Sequence, residues 1–268
     1  MKTVVITGST RGIGRGLAEN FLASGCRVII SARGQSKVDS VVAELQSQHG
    51  KDAVAGVACD ITSEADLAKL WDFASSQGAV DIWINNAGMS IARKPLHEQS
   101  AQDLRAIVDT NLTGLLLACK VALAGMLKQG YGQIWNMEGF GSTGQTNTGM
   151  AAYGATKRAL NYLTTSLQKE VKGTEVQVNT LSPGIVVTDL LVGDYDLASP
   201  EWQKTRKILN ILGDTVETVT PYLVRGVLNA QKSGSRVAWL TGRKAFWRFL
   251  TAGFNKRDLF AEYDAPPA

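Results

Sequence analysis

Short runs rich in β-branched residues alternate with longer amphipathic stretches along nearly the whole chain, and no other feature constrains the fold as tightly. "TVVITG" (3–8) reads as a buried strand, and "GIGRGLAENFLASG" (12–25) as a helix ended by Gly25. The same rhythm predicts strands over 27–33, 53–60, 80–88, 132–137, 176–184 and 236–242. It predicts helices over 37–50, 63–77, 100–129, 150–171 and 215–231. The helix over 63–77 starts on Ser63 as its cap, with Asp66 three residues on. The segment 185–214 reads as irregular with one short helix. Strands separated by helices pair in parallel through right-handed crossovers. Seven of them imply a doubly wound open α/β sheet whose ligand crevice lies at the carboxyl ends of the strands. No linker, repeat or low-complexity tract interrupts the pattern, and only "DAPPA" (264–268) reads as disordered.

Composition fits one domain of this kind. At 268 residues, 44% hydrophobic and 19% charged, the chain can bury a sizeable core. A net charge of +4 is too mild to point to nucleic acid. Cys26, Cys59 and Cys119 are scattered, the only histidines are His49 and His97, and none has metal-ligand spacing, so no metal site is expected. The cysteines read as small buried residues in a reducing compartment. No run of 18 apolar residues occurs, so no transmembrane helix is expected. The chain enters its first strand at once, so no targeting segment is expected in it.

"TGSTRGIG" (Thr7 to Gly14) joins the first strand to the first helix. Gly8 permits a tight turn, Gly12 a close backbone approach, and Gly14 close helix–strand packing. The helix N-terminus then offers free N–H groups to a pyrophosphate. Gly8, Ser9, Thr10, Arg11, Gly12, Ile13 and Gly14 form the predicted cradle. The second strand ends without the acid that would bind a ribose 2′-hydroxyl. Arg33 stands there instead, and with Arg11 it suits a 2′-phosphate, so NADP(H) is expected over NAD(H). Asp60, Ile61 and the turn Asn86, Ala87, Gly88 are expected beside the adenosine half. Asp60 also reads as a simple cap.

"TGSTRGIG", "NNAG", Asn111, "YGATK" and "SPGIVVTD" occur in the order and spacing of the short-chain dehydrogenase/reductase superfamily, which the chain resembles over about residues 1–242. The resemblance implies a single-domain Rossmann fold with strand order 3-2-1-4-5-6-7 and nicotinamide-dependent chemistry. Residues 243–268 would be a basic, aromatic extension of the same domain. Tyr153 and Lys157, four apart, share one helix face. A free tyrosine, with a pKa of about 10, is too weak an acid to exchange protons readily near neutrality. An ammonium beside it, helped by an oxidised nicotinamide, lowers that value. Tyr153 then protonates a carbonyl oxygen as hydride arrives from NADPH. Lys157 also holds the nicotinamide ribose. Asn111 resembles the family residue that holds a water in the proton relay. Pro183 and Gly184 shape a turn that lets the Val186 backbone and the Thr188 hydroxyl meet the carboxamide.

The family serine is missing. Thirteen residues before Tyr153 stands Phe140, and counting from Asn136 gives Gly139, with Glu138 before it. Ser142, on the glycine-flexed "GFGS" loop, is the expected substitute. Its reading as an ordinary loop residue stays open. Glu138 should be protonated, paired or turned away, since a lone buried carboxylate is costly.

"IWNMEGFGSTG", "AAYGATK" and the tail "WLTGRKAFWRFL…GFNKRDLF" resemble the plant chlorophyll b reductases. That implies NADPH-dependent reduction of the C7 formyl group of chlorophyll b, or chlorophyllide b, to the 7-hydroxymethyl product. Another hydrophobic carbonyl compound (lipid, steroid or polyketide-like) is the alternative substrate. A non-catalytic NADP sensor is disfavoured by the intact Asn111, Tyr153 and Lys157. The tail interleaves six aromatic and six basic residues over 236–260. It reads either as core completion or as a basic amphipathic segment for a membrane surface or pigment pocket. The expected setting is the cytoplasm or plastid stroma, peripheral to a thylakoid membrane. A homo-oligomer pairing through the two long helices is also expected.

Overall fold

The computed structural model describes residues 1–193, 195 and 197–263; the tail end predicted to be disordered lies outside the described residues. Seven parallel strands form one sheet in the order β3-β2-β1-β4-β5-β6-β7. They are β1 (Thr3–Thr7), β2 (Arg27–Ala32), β3 (Val54–Ala58), β4 (Val80–Asn85), β5 (Tyr131–Met137), β6 (Glu175–Ser182) and β7 (Arg236–Ala238). The predicted order holds. All strands therefore end on one edge, and the loops of the site gather there.

Period-two alternation divides the sheet between two cores. Val4, Ile6, Val28 and Ile30 pack with helices α1 (Gly12–Ala23), α2 (Gln35–His49) and α9 (Val216–Leu228). Val5, Ile29 and Trp83 face α3 (Glu64–Gln77), α5 (Gly114–Gln129) and α6 (Ala151–Glu170). Ser63 caps α3 as expected, accepting from the Asp66 N–H at 3.2 Å. All three cysteines are buried, and burial pushes the Cys59 and Cys119 thiols up to about 12.

Three expectations change. The helix predicted over 100–129 is α4 (Ala101–Val108), a π-turn at Asp109–Thr113, and α5. Apolar periodicity on both sides of the polar run Asp109–Thr113 reads as one helix, so the sequence reading passed over the wider turn. Ala101–Gln129 also has the length and apolarity to cross a bilayer, yet Leu115, Ala118, Ala122 and Met126 are spent on the sheet. The segment 185–214 holds two helices rather than one, α7 (Asp189–Val192) and α8 (Pro200–Leu212). Ser199 caps α8, Pro200 suits its first turn, and Trp202 and Leu209 pack with Phe260 from the tail. That partner lies far along the chain, so local pattern understated the helix. Finally, β7 stops at Ala238, because Trp239 turns out to bond Asp214.

Asp214, 4% exposed, organises the tail. Arg248 donates to its Oδ1 at 2.9 Å, Arg257 donates to Oδ1 at 3.0 Å, and the Trp239 indole donates to Oδ2. Arg248 and Arg257 also donate to carbonyls that end α8, which fixes α10 (Gly242–Thr251) against it. Burial works to raise the Asp214 carboxyl, but the bonds from Arg248, Trp239 and Arg257 outweigh it and hold it below its ordinary value. Its contribution to stability is thus full above about pH 4 and is lost as pH falls through the folded value. Asp214→Ala leaves two half-buried arginines unpaired, and should cost about 3–5 kcal/mol. Urea unfolding measures that cost, and limited proteolysis should cut the tail of the variant first.

Candidate active site

The glycine turn after β1 is drawn tight. Gly8 (φ 66°) and Gly12 (φ 55°) adopt left-handed backbone that other residues resist. A Cβ on Gly14 would strike the Gly8 carbonyl and the Asn86 amide, so only glycine lets α1 start this close to β1. Ser9 is fully buried and stitches the turn to β2, accepting from Ser31 N–H at 2.9 Å and donating to Ile6 O at 2.7 Å. Asn86 donates to Thr7 O at 2.9 Å and Gly8 O at 3.1 Å, and Ala87 N–H to Thr7 Oγ1 at 3.1 Å. Thr10 and Ile13 are half-buried beside this turn. The turn after β4 thus braces the glycine turn from behind.

Three further segments close the edge. Thr188 brings its methyl to within 3.5 Å of where a Gly12 Cβ would be, which joins the loop after β6 to the glycine turn. Pro183 and Val186 are buried, and Gly184 (φ 74°) sits against Leu240. Asp60 bonds the Thr62 N–H and hydroxyl through one oxygen, at 2.9 and 2.8 Å, while Ile61 packs on Gly114. Arg33 is exposed at the end of β2, and Arg11, also exposed, lies 3.7 Å from Asp189. These groups fit a dinucleotide: the glycines leave a cradle at a helix N-terminus at the carboxyl edge of the sheet.

The proton-handling groups converge next to it. Asn111 sits in the π-turn, a distortion often found at functional sites. Its amide clamps the Met89 backbone through two 2.8 Å bonds and reaches Thr156 at 3.4 Å. Gly88 lies between Asn111 and Lys157. Lys157 is buried and donates to the Met137 carbonyl at 3.1 Å, with its ammonium 5.8 Å from the Tyr153 ring centre. Burial pushes the Lys157 ammonium down to about 8, while the Glu138 carboxylate works to raise it.

The loop after β5 answers the missing serine. A Cβ on Gly139 would land on the Tyr153 hydroxyl, and one on Gly141 (φ 95°) would meet the Gly154 Cα at 2.6 Å. The loop thus approaches α6 more closely than side chains at these positions permit. Ser142 is buried, and its hydroxyl accepts from the Gly139 N–H at 3.0 Å. Glu138 is paired, as its burial requires. Arg236 grips it with bonds of 2.7–3.1 Å and also donates to Ser182 at 3.1 Å, tying β5 to β7 across β6. Sequence reasoning did not find Arg236 as its partner, because 98 residues separate the two.

The short chain dehydrogenase family matches residues 2–196. A chlorophyll(ide) b reductase NOL, chloroplastic, of Oryza sativa subsp. japonica is 39% identical over 258 residues, covering 92% of this chain and 74% of that protein. A 7α-hydroxysteroid dehydrogenase solved with NADH and 7-oxoglycochenodeoxycholic acid superposes with TM-score 0.77 at 28% identity, over 90% of this chain and 93% of that one. A serine dehydrogenase complexed with NADP+ gives 0.75 at 25% identity, over 89% and 94%.

The Lys157 ammonium should titrate near pH 8 in the unliganded protein, followed by NMR of its ε-carbon. Glu138→Gln removes the group that raises it and leaves Arg236 uncompensated, so the midpoint should move lower. An unchanged midpoint would mean that Glu138 does not act on Lys157.

Proposed function

The chain belongs to the short-chain dehydrogenase family, and from that premise we propose that it reduces the C7 formyl group of chlorophyll b or chlorophyllide b with NADPH. As a member of the family it is an oxidoreductase with a nicotinamide dinucleotide site. The observation that carries the finer reading is the likeness, along nearly the whole chain, to a chlorophyll(ide) b reductase. The loop after β5 supports it. Position 139 carries no hydroxyl, and the Gly139 backbone itself lies close against the Tyr153 hydroxyl. A formyl group is a reactive carbonyl and needs fewer oxyanion donors than a hindered ketone. The exposed Arg33 and the lack of an acid at the end of β2 favour NADPH. The name of that relative places it in the chloroplast, so a plastid setting goes with this reading.

A reduced nicotinamide bound at the strand edge supplies the hydride. Tyr153 gives its proton to the carbonyl oxygen as negative charge develops there. Lys157 shares its helix face, favours the phenolate electrostatically and has hydroxyl-binding capacity for a ribose. Asn111 positions Met89 and Thr156, and Thr156 in turn donates to the Tyr153 carbonyl at 2.8 Å. Ser142 fixes the Gly139 N–H and keeps its own hydroxyl proton to donate. Gly8 to Gly14, Asp60, Ile61, Asn86, Ala87 and Gly88 hold the adenosine and pyrophosphate side. Pro183, Gly184, Val186 and Thr188 hold the nicotinamide side.

A second reading, reduction of another hydrophobic carbonyl compound, is favoured by the likeness to a steroid dehydrogenase. Incubation of chlorophyll b with enzyme and NADPH separates the two. The expected outcome is a Soret shift and a product heavier by two hydrogens, with NADPH preferred over NADH. Tyr153→Phe should lower turnover by roughly 10²–10⁴. Gly139→Ser, which restores the family residue, should lower it too, because the side chain displaces the tyrosine. No pigment product, with turnover of a steroid ketone, would favour the second reading.

An apolar groove of about 310 Å³ runs between α4 and α6, lined by Leu96, Leu104, Val108, Ala151, Ala152 and Ala155. We propose that a second copy of the chain covers it. Light scattering should give the mass of two or more chains, and Ala155→Glu should return a monomer.

A further inference from the structure

Helix α10 is mounted inside out. None of its residues is buried. Its inward side carries Ala245, Arg248 and Ala252, half-buried at i, i+3, i+7 spacing. Its outward side carries Phe246, Trp247 and Leu250, flanked by Phe249 and, just beyond the helix, Phe254. Each of these five is more than half exposed. An ordinary surface helix turns its apolar stripe to the core. Here Arg248 is held to Asp214 and to the carbonyls of Leu212 and Gly213. Rotating the helix inward would leave a buried carboxylate short of partners, which is costly. The aromatic face is therefore locked towards solvent.

The charges around that face are mostly cationic, and the nearest carboxylate along the chain, Asp258, is paired with Arg206. From Trp239 to Arg257 there is no acidic residue. Of the cations there, Arg248 and Arg257 are consumed by Asp214, and Lys244 stacks on Trp239. Arg243 and Lys256 remain exposed at the rim, and Lys204, Lys207 and Ile208 are exposed on the adjacent α8. Outward aromatic and aliphatic groups with a cationic rim match the chemistry of an anionic lipid interface. A second copy fits less well. The patch offers on the order of a few hundred Å², against about 800 Å² per partner in a stable dimer.

We propose that α10 and Phe254 dock the protein on an anionic lipid surface. The strands are all parallel, and β7 runs into α10 at the carboxyl edge that carries Tyr153 and Lys157. Docking there holds the site edge against the layer in which a hydrophobic substrate dissolves.

Vesicle co-sedimentation of the full chain tests the proposal and needs neither pigment nor cofactor, so its failure leaves the reductase reading untouched. The wild type should sediment with phosphatidylglycerol-containing vesicles at least tenfold more than with pure phosphatidylcholine, and salt should weaken it. The triple variant Phe246→Ser, Trp247→Ser, Leu250→Ser should lose that binding while keeping the wild-type far-UV circular dichroism and melting temperature. Should the triple variant fail to fold, Arg243→Glu with Lys256→Glu supplies the same reading. Equal partitioning of variant and wild type would overturn the proposal. So would a fall in oligomeric mass in the variant with vesicle binding intact, which would assign the face to a second copy.

Discussion

The hydrogen bond between Asn85 and Asn136 fixes the height of everything at the active edge. Both amides are buried and opposite one another in register, Nδ2 of Asn85 donating to Oδ1 of Asn136 at 2.8 Å. Neither can leave a polar atom unmet at that depth. Trp83 therefore donates to Asn85 at 2.8 Å, and Asn136 donates to Thr164 of α6 at 2.9 Å. The resulting chain links β4, β5 and α6 and polarises along its length. One residue past Asn85, Asn86 braces the glycine turn; two past Asn136, Glu138 opens the loop after β5. The dinucleotide cradle and the Tyr153–Lys157 face are thus set relative to one another by side chains that touch no substrate.

Given that height, the loop after β5 has little room. It presses its backbone on α6, which bars a side chain at Gly139 and Gly141. Polar work that a serine would do at 139 must come from elsewhere. Ser142 orients the Gly139 N–H from below, and the carboxylate of Glu138 turns sideways into Arg236. The loop is rebuilt around close contact rather than emptied of function. The same carboxylate opposes the burial that depresses Lys157, so a strut between strands also favours the cationic form of that lysine.

Much of this was legible in the sequence, and the limits have physical causes. The alternation of strands and helices, the glycine turn and the Tyr153–Lys157 face are local patterns, and they appear where the residues predict; the strand order was implied by the family resemblance and holds. Ser63 as a cap is a four-residue signal and holds as well. The π-turn around Asn111 was missed because apolar periodicity on either side of the polar run Asp109–Thr113 joins into one stripe. The extent of α8 depends on Phe260, and the pairing of Glu138 on Arg236; both are contacts across many tens of residues. That a buried Glu138 had to be protonated, paired or turned away followed from desolvation, and the structure pairs it. Which cation pairs with it depends on β7 lying beside β6.

The tail shows the same division between composition and orientation. Its basic and aromatic content is plain in the sequence, but which side faces the protein depends on one acid. Asp214 draws Arg248 and Arg257 inward, and its own backbone bonds Ile185 and Val187 at 3.0 and 2.9 Å. That loop continues to Thr188, which meets the glycine turn. Helix α10 is therefore mechanically continuous with the wall of the dinucleotide site. A load on the outward aromatic face is carried through Arg248 and Asp214 to the Val186–Thr188 backbone, and no flexible linker intervenes. Because the cations are spent on this anchorage, the rim that remains is small, and any surface that binds it must supply apolar contact as well as charge.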